Sequence, residues 1–81
     1  MEPKVFVGNL PFNITAEELT ELMSEAGPVE DVYMVADRET GRPRGFAFVT
    51  FDSPETAQAA IEKFEGHEIE GRPLRINEAR P

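Results

Sequence analysis

Two phenylalanines separated by one residue stand in the octamer Arg44–Phe51. Side chains alternate between the two faces of a β-strand, so Phe46 and Phe48 share one face while Ala47 and Val49 share the other. An antiparallel sheet with one covered face normally exposes polar side chains on its second face, so an aromatic pair there requires an explanation. The pattern indicates either that both faces of this strand are buried or that the second face is a platform for stacking.

Side chains that could carry out covalent chemistry are scarce in this sequence. The chain has no cysteine, which excludes disulfides, thiolate catalysis and cysteine-ligated metal sites. Its one histidine, His67, follows a predicted helix end, and no motif places a nucleophile beside it. Gly41 and Gly45 do not have the spacing of a phosphate-cradling loop. The sequence therefore predicts no catalytic residue, no metal site and no cofactor, and an enzyme is the least favoured hypothesis.

Length and composition are those of a small globular domain. The chain has 81 residues, of which 40% are hydrophobic and 30% charged, and predicts one domain over residues 1–81. No apolar run approaches the ~18 residues of a membrane span, and the start of the chain lacks a signal-peptide pattern. These features predict an intracellular protein, whether cytoplasmic, nuclear or organellar. The net charge of -8, taken alone, argues against a nucleic-acid ligand.

Two helices are predicted from capping residues and apolar periodicity. The first begins at the capping box Thr15–Glu18 and ends at Gly27, and the second begins at Ser53 and ends near Gly66. Each carries a stripe of apolar residues at helical spacing: Leu19, Leu22, Met23 and Ala26 in the first, and Ala57, Ala60, Ile61 and Phe64 in the second.

Four strands are predicted from alternating side chains, over residues 4–8, 29–35, 44–51 and 72–77. Pro73 indicates that the last is an edge strand. From the first strand alone, Phe6 could equally be a core residue. The polar loop 37–43 carries Arg38 and Arg42 close to Arg44, and these arginines could be solvated or could form a mobile basic arm.

The elements follow in the order strand, helix, strand, strand, helix, strand. Two right-handed crossovers around a central hairpin predict an α+β, ferredoxin-like β-α-β-β-α-β sandwich, in which a four-stranded antiparallel sheet carries both helices on one face. The opposite face, which we call the open face, is left uncovered. It carries three phenylalanines, Phe6, Phe46 and Phe48.

The two strand motifs resemble those of the RNA recognition motif family. Arg44–Phe51 matches the constrained positions of that family's octamer, and Val5–Leu10 is similar to its companion hexamer. The resemblance covers residues 4–79. It implies that the strands lie in the order fourth, first, third, second, that the open-face phenylalanines stack on bases or sugars, and that Arg44 pairs with a phosphate.

The acidic residues are unevenly distributed along the chain. This weakens the argument that a net charge of -8 excludes a nucleic-acid ligand. Of the Lys and Arg residues only Lys63 lies in a predicted helix, whereas glutamates crowd both helices on the far side of the sheet. The open face should therefore be less acidic than the rest of the surface, with a weak contribution from phosphates.

We therefore expect a monomeric, non-enzymatic module that binds single-stranded RNA, or single-stranded DNA, by aromatic stacking. The alternative is a protein-interaction module that uses the open face or the helical face, where the acidic helices would suit a basic partner. The predicted nucleic-acid contacts are Lys4, Phe6, Tyr33, Arg42, Arg44, Phe46, Phe48, Arg75 and Asn77.

Overall fold

The computed structural model describes residues 3–11, 13–36, 39 and 43–79, without the side chains of residues 36, 43 and 44. Within these residues the chain forms two helices, α1 (Ala16–Met23) and α2 (Pro54–Phe64). The strands are β1 (Lys4–Gly8), β2 (Val29–Ala36), β3 (Pro43–Phe51), β4 (Glu68–Ile69), β5 (Arg72–Pro73) and β6 (Arg75–Glu78).

Four of the strands form one antiparallel sheet in the order β2-β3-β1-β6. This confirms the predicted α+β sandwich, and it confirms the predicted order with β6 as the fourth strand. Helix α1 packs on β2, while α2 packs on β1, β3 and β6. Because the sheet has β2 and β6 at its edges, the central strands β1 and β3 hold the middle of the open face.

The prediction of a single strand over residues 72–77 is wrong in its first part. Residues 72–73 pair instead with β4, in a separate hairpin whose two turn residues, Glu70 and Gly71, have φ of 51° and 79°. Positive φ at both central positions is the geometry that matches a tight hairpin to the twist of its strands. The N–H of Leu74 donates to the carbonyl of His67, so pairing with β1 begins only at Arg75.

Both helices begin where capping residues predict. The Thr15 hydroxyl accepts from the Glu18 N–H at 3.1 Å, and the Glu18 carboxylate accepts from the Thr15 N–H at 3.2 Å. Ser53 accepts from the N–H of Thr56 at 3.2 Å in the same way. Helix α1 ends at Met23, earlier than predicted, and the residues up to Ala26 form turns.

The core lies between the sheet and the helices. It takes inward residues of the strands, one stripe of each helix and two leucines just outside these elements, Leu10 and Leu74. The other members are Val5, Val7, Leu19, Met23, Ala47, Val49, Phe51, Ala57, Ala60, Phe64 and Ile76. Leu22 and Ile61 are only partly buried against this core. In the described part of the chain, no helix is long and apolar enough to cross a membrane.

Candidate nucleic-acid interface

One side chain from each strand of the sheet falls into a single row across the open face. Tyr33 of β2 is paired with Phe48 of β3, Phe48 with Phe6 of β1, and Phe6 with Asn77 of β6. Directly opposed residues on neighbouring strands share a face, so these four side chains lie side by side over ~14 Å. We call Tyr33, Phe48, Phe6 and Asn77 the central row. It places three aromatic rings and one carboxamide in line.

The phenylalanine rings of the open face pack against one another around Phe6. The ring centroids of Phe6 and Phe46 are 5.6 Å apart at an interplanar angle of 40°, and those of Phe6 and Phe48 are 5.9 Å apart at 62°. These separations lie within the ~4.5 to 7 Å range of favourable aromatic pairs. All three rings are partly exposed, whereas Tyr33 is 61% exposed. The cluster is thus held in place and still presents ring surface to a ligand.

Gly8 makes room for the Phe6 ring. A Cβ atom at Gly8 would lie 2.9 Å from Cε1 of Phe6, closer than real Cβ atoms come to such atoms, and 3.0 Å from Cζ. Gly8 lies two residues after Phe6, on the same face of β1, and it is buried. Sequence reasoning missed this role, although a glycine two positions after an outward aromatic residue is a signal that could have indicated it.

Two cations flank the central row at different places. The ammonium of Lys4 lies 5.5 Å from the centroid of the Phe48 ring, within reach of a cation–π interaction. Arg75 projects from β6, with its side chain 70% exposed and its Nη1 3.7 Å from Oε1 of Glu65. The second oxygen of that carboxylate accepts from the N–H of Ile76 at 2.6 Å. Both cations remain accessible to an anionic ligand.

Acidic residues occupy the β2 side of the sheet. Asp31 is paired with Thr50, which is paired in turn with Lys4, so Asp31 lies in the row beside the central row. Asp31 and its neighbour Glu30 are both exposed. On the open face, exposed negative charge therefore stands at the β2 edge, and the cations Lys4 and Arg75 stand on β1 and β6. A phosphate backbone would be better accommodated on the β1 and β6 side.

Seven of the nine predicted contact residues are thus brought onto one face: Lys4, Phe6, Tyr33, Phe46, Phe48, Arg75 and Asn77. Arg42 lies outside the described residues, as does most of the loop 37–43. Arg44 is placed in β3 by its backbone alone. Among the described residues, no group of His, Asp or Glu side chains could hold a metal ion.

The sequence of this chain is similar to those of known RNA-binding proteins. The family model for the RNA recognition motif matches residues 5–75. The chloroplastic RNA-binding protein CP29B of Arabidopsis thaliana is 50% identical over 78 residues, which are 96% of this chain and 27% of that protein. Cleavage stimulation factor subunit 2 of Homo sapiens is 45% identical over 75 residues, 93% of this chain and 13% of that protein. The chain therefore spans about a quarter or less of these two relatives.

Solved structures with the same fold include two complexes with RNA. The Rna15 RRM with bound RNA (GU) has a TM-score of 0.90 and 30% identity, and the match covers 100% of this chain and 86% of that one. The Sex-lethal protein–RNA complex has a TM-score of 0.94 and 32% identity, over 100% of this chain and 48% of that one.

Proposed function

Because this chain belongs to the RNA recognition motif family, we propose that it binds single-stranded RNA on its open face, by stacking unpaired bases on the central row. The observation that carries the proposal is the register that aligns Tyr33, Phe48, Phe6 and Asn77 across four strands. Every base has a π-face that an aromatic ring can cover, and unpaired bases alone can be splayed onto such rings. The Asn77 carboxamide can donate to and accept from a base edge.

The strength of this binding follows from the number of stacked bases. Each base stacked on an aromatic side chain contributes ~1 to 3 kcal/mol by alanine substitution. Three such contacts, less the cost of ordering the strand, support a dissociation constant near ~1 μM, or about -8 kcal/mol. Stacking does not require the 2′-hydroxyl, so single-stranded DNA is a second candidate ligand.

The proposal is tested by fluorescence anisotropy with a randomised pool of single-stranded RNA. Saturable binding in the micromolar range is expected, with much weaker binding to RNA of the same length annealed into a duplex, whose bases are not free to stack. A pool of single-stranded DNA with the same randomised sequences is titrated in the same way, to compare its affinity with that of the RNA pool. Equal binding to duplex and single strand would contradict stacking as the basis of recognition.

The affinity should depend only modestly on salt. Lys4 and Arg75 are the cations that the described residues place on the open face, and Arg44 is a predicted third. Neutralising ~2 or 3 phosphates of a single strand gives a slope of ~-1.4 to -2.1 in a plot of log affinity against log salt. Anisotropy titrations over a series of potassium chloride concentrations measure this slope. A slope several times steeper would show that phosphate contacts, not stacking, dominate.

Gly8→Ala is expected to weaken RNA binding while leaving the fold intact. The added methyl group must displace the Phe6 ring, since the present contact would be only 2.9 Å. We expect a loss of about 5-fold or more, corresponding to part of one stacking contact. Anisotropy measures the affinity, and urea denaturation measures the free energy of unfolding. Unchanged affinity, with the aromatic NMR signals of Phe6 unshifted, would show that the ring does not need this space.

We further propose that the domain acts as a monomer, without catalysis and inside a cell or organelle. The binding chemistry uses stacking and hydrogen bonds, which need neither a nucleophile nor a metal. The relatives include chloroplastic ribonucleoproteins of Arabidopsis thaliana and Nicotiana sylvestris, which are organellar by name. That residues 1–81 form one domain stays a prediction.

A further inference from the structure

A groove separate from the central row runs between α1 and the edge strand β2. Its volume is about 570 Å³, and it is widely open to solvent. Helix α1 contributes Ala16, Glu17, Thr20 and Glu21, and strand β2 contributes Val29, Glu30, Asp31 and Val32. We call this site the α1–β2 groove.

The floor of the α1–β2 groove is apolar. Val29 is paired with Phe51 and Val32 with Val49, and both partners belong to the buried core, so the two valines lie on the helix side of the sheet. Between them a register shift makes Glu30 an extra residue in β2. Val29 and Val32 are only partly buried, so apolar surface remains open to a ligand.

The rim of the groove is acidic. Glu17 and Glu21 lie one turn apart on α1, and Glu30 is the extra residue of β2; all three are exposed. Asp31 also lines the groove, but its pairing with Thr50 puts it on the open-face side of β2. None of the residues that line the groove is basic. Three carboxylates beside an apolar floor repel a phosphate backbone and attract cations. Lys ammonium and Arg guanidinium groups pair with carboxylates, and a peptide can carry them beside an aliphatic side chain.

The two edges of the sheet also differ. At the β6 edge the Glu65 carboxylate covers the N–H of Ile76 at 2.6 Å, which blocks an approaching chain. The β2 edge has no neighbouring strand within the described residues. The groove thus lies along the sheet edge that another chain can approach.

We propose that the α1–β2 groove docks a basic segment of a partner protein, with one aliphatic side chain on Val29 and Val32 and with Lys or Arg side chains facing the carboxylate rim. A basic partner is chosen because its positive charges complement the acidic rim of the groove. A second copy of this chain fits poorly, since each copy has a net charge of -8. The site lies outside the central row, so the domain can hold a basic protein segment and RNA together.

The test uses a short synthetic peptide in which one leucine is flanked on each side by arginines and lysines. Two control peptides replace the leucine by serine or the cations by glutamate. In ¹⁵N-edited NMR titrations of the whole chain, the first peptide should shift the amide signals of α1 and of residues 29–32, and both controls should bind more weakly. Absence of binding at millimolar peptide, or shifts confined to the central row, would overturn the proposal.

A matched pair of double variants separates docking from general attraction. Glu17→Gln with Glu21→Gln should weaken peptide binding by about 3- to 10-fold, as expected for two exposed ion pairs. Glu55→Gln with Glu62→Gln on α2 changes the net charge equally and should weaken binding less than about 2-fold, because these exposed residues do not line the groove. Equal weakening by the two variants would overturn the proposal.

The RNA-binding function is scored separately in the same experiment. The groove variant should bind single-stranded RNA no more weakly than the unaltered chain, and the peptide should still bind when RNA is present. Competition between RNA and peptide would place the peptide on the open face and overturn the groove. Amide shifts of α1 that depend on protein concentration without peptide would identify a second copy as the occupant and would also overturn the proposal.

Discussion

Phe6→Ala is expected to weaken single-stranded RNA binding by about 5- to 150-fold, the equivalent of one lost stacking contact of ~1 to 3 kcal/mol. The upper part of this range is expected because Phe6 lies at the centre of the aromatic cluster. Its ring contacts both Phe46 and Phe48, so its removal also frees these two rings to move. Anisotropy with the RNA pool measures the loss of affinity.

The same substitution should leave the protein folded. Phe6 is partly exposed, so its loss should cost less than the ~3 to 5 kcal/mol of a core phenylalanine, even with two ring contacts of ~0.5 to 1.5 kcal/mol each. The loss is smaller than the ~5 to 15 kcal/mol by which domains are commonly stable. Phe6→Leu is the matched control, since it keeps an apolar side chain but removes the π-face, and Phe6→Tyr restores that face. Strong RNA binding by Phe6→Leu, or unfolding of Phe6→Ala at room temperature, would contradict a stacking role.

Phe64→Ala is expected to lower the free energy of unfolding by ~3 to 5 kcal/mol, since it leaves a cavity where a core ring was. Phe64 is 1% exposed at the end of α2 and packs edge-on against the His67 ring, with centroids 5.8 Å apart. Helix α2 packs on β1, β3 and β6, and its buried residues are Ala57, Ala60 and Phe64. Urea denaturation measures the change, and the variant should be close to its unfolding threshold at body temperature.

Leu22→Ala serves as the comparison for Phe64→Ala. The helical spacing predicts Leu22 as part of the buried stripe of α1, but the structure leaves it only partly buried. Leu22→Ala should therefore lower the free energy of unfolding by less than Phe64→Ala does. The RNA affinity of the folded fraction should be unchanged in both variants, because both residues lie on the helix side of the sheet. A larger loss for Leu22→Ala than for Phe64→Ala would contradict the placement of the two helices.

The faces of the strands could be predicted from the sequence because side-chain parity is fixed by the backbone. Alternation alone puts Phe46 and Phe48 opposite Ala47 and Val49, and the structure has these pairs on the open and buried sides. The helix starts were equally predictable, since a capping residue acts within one turn of its own position. Local patterns of this kind decide most of the fold.

The residues of the central row were predicted as contacts, but their alignment in one row could not be, because it depends on register between strands that are distant in the sequence. Tyr33 faces Phe48 only after the extra residue Glu30 has shifted the pairing of β2 with β3. Alternation likewise assigned residues 72–73 to the four-stranded sheet. The turn at Glu70 places them in a separate hairpin instead. The contact of Glu65 with Ile76 joins residues that no periodic pattern relates.

An NMR titration of the isotopically labelled chain with single-stranded RNA tests stacking on the open face most directly. The ring signals of Tyr33, Phe48 and Phe6 and the side-chain amide of Asn77 should shift together and saturate at one dissociation constant, since they form one row. The core ring of Phe64 should not respond. Saturable shifts that appear on the helices while the central row stays unchanged would contradict RNA binding by the open face.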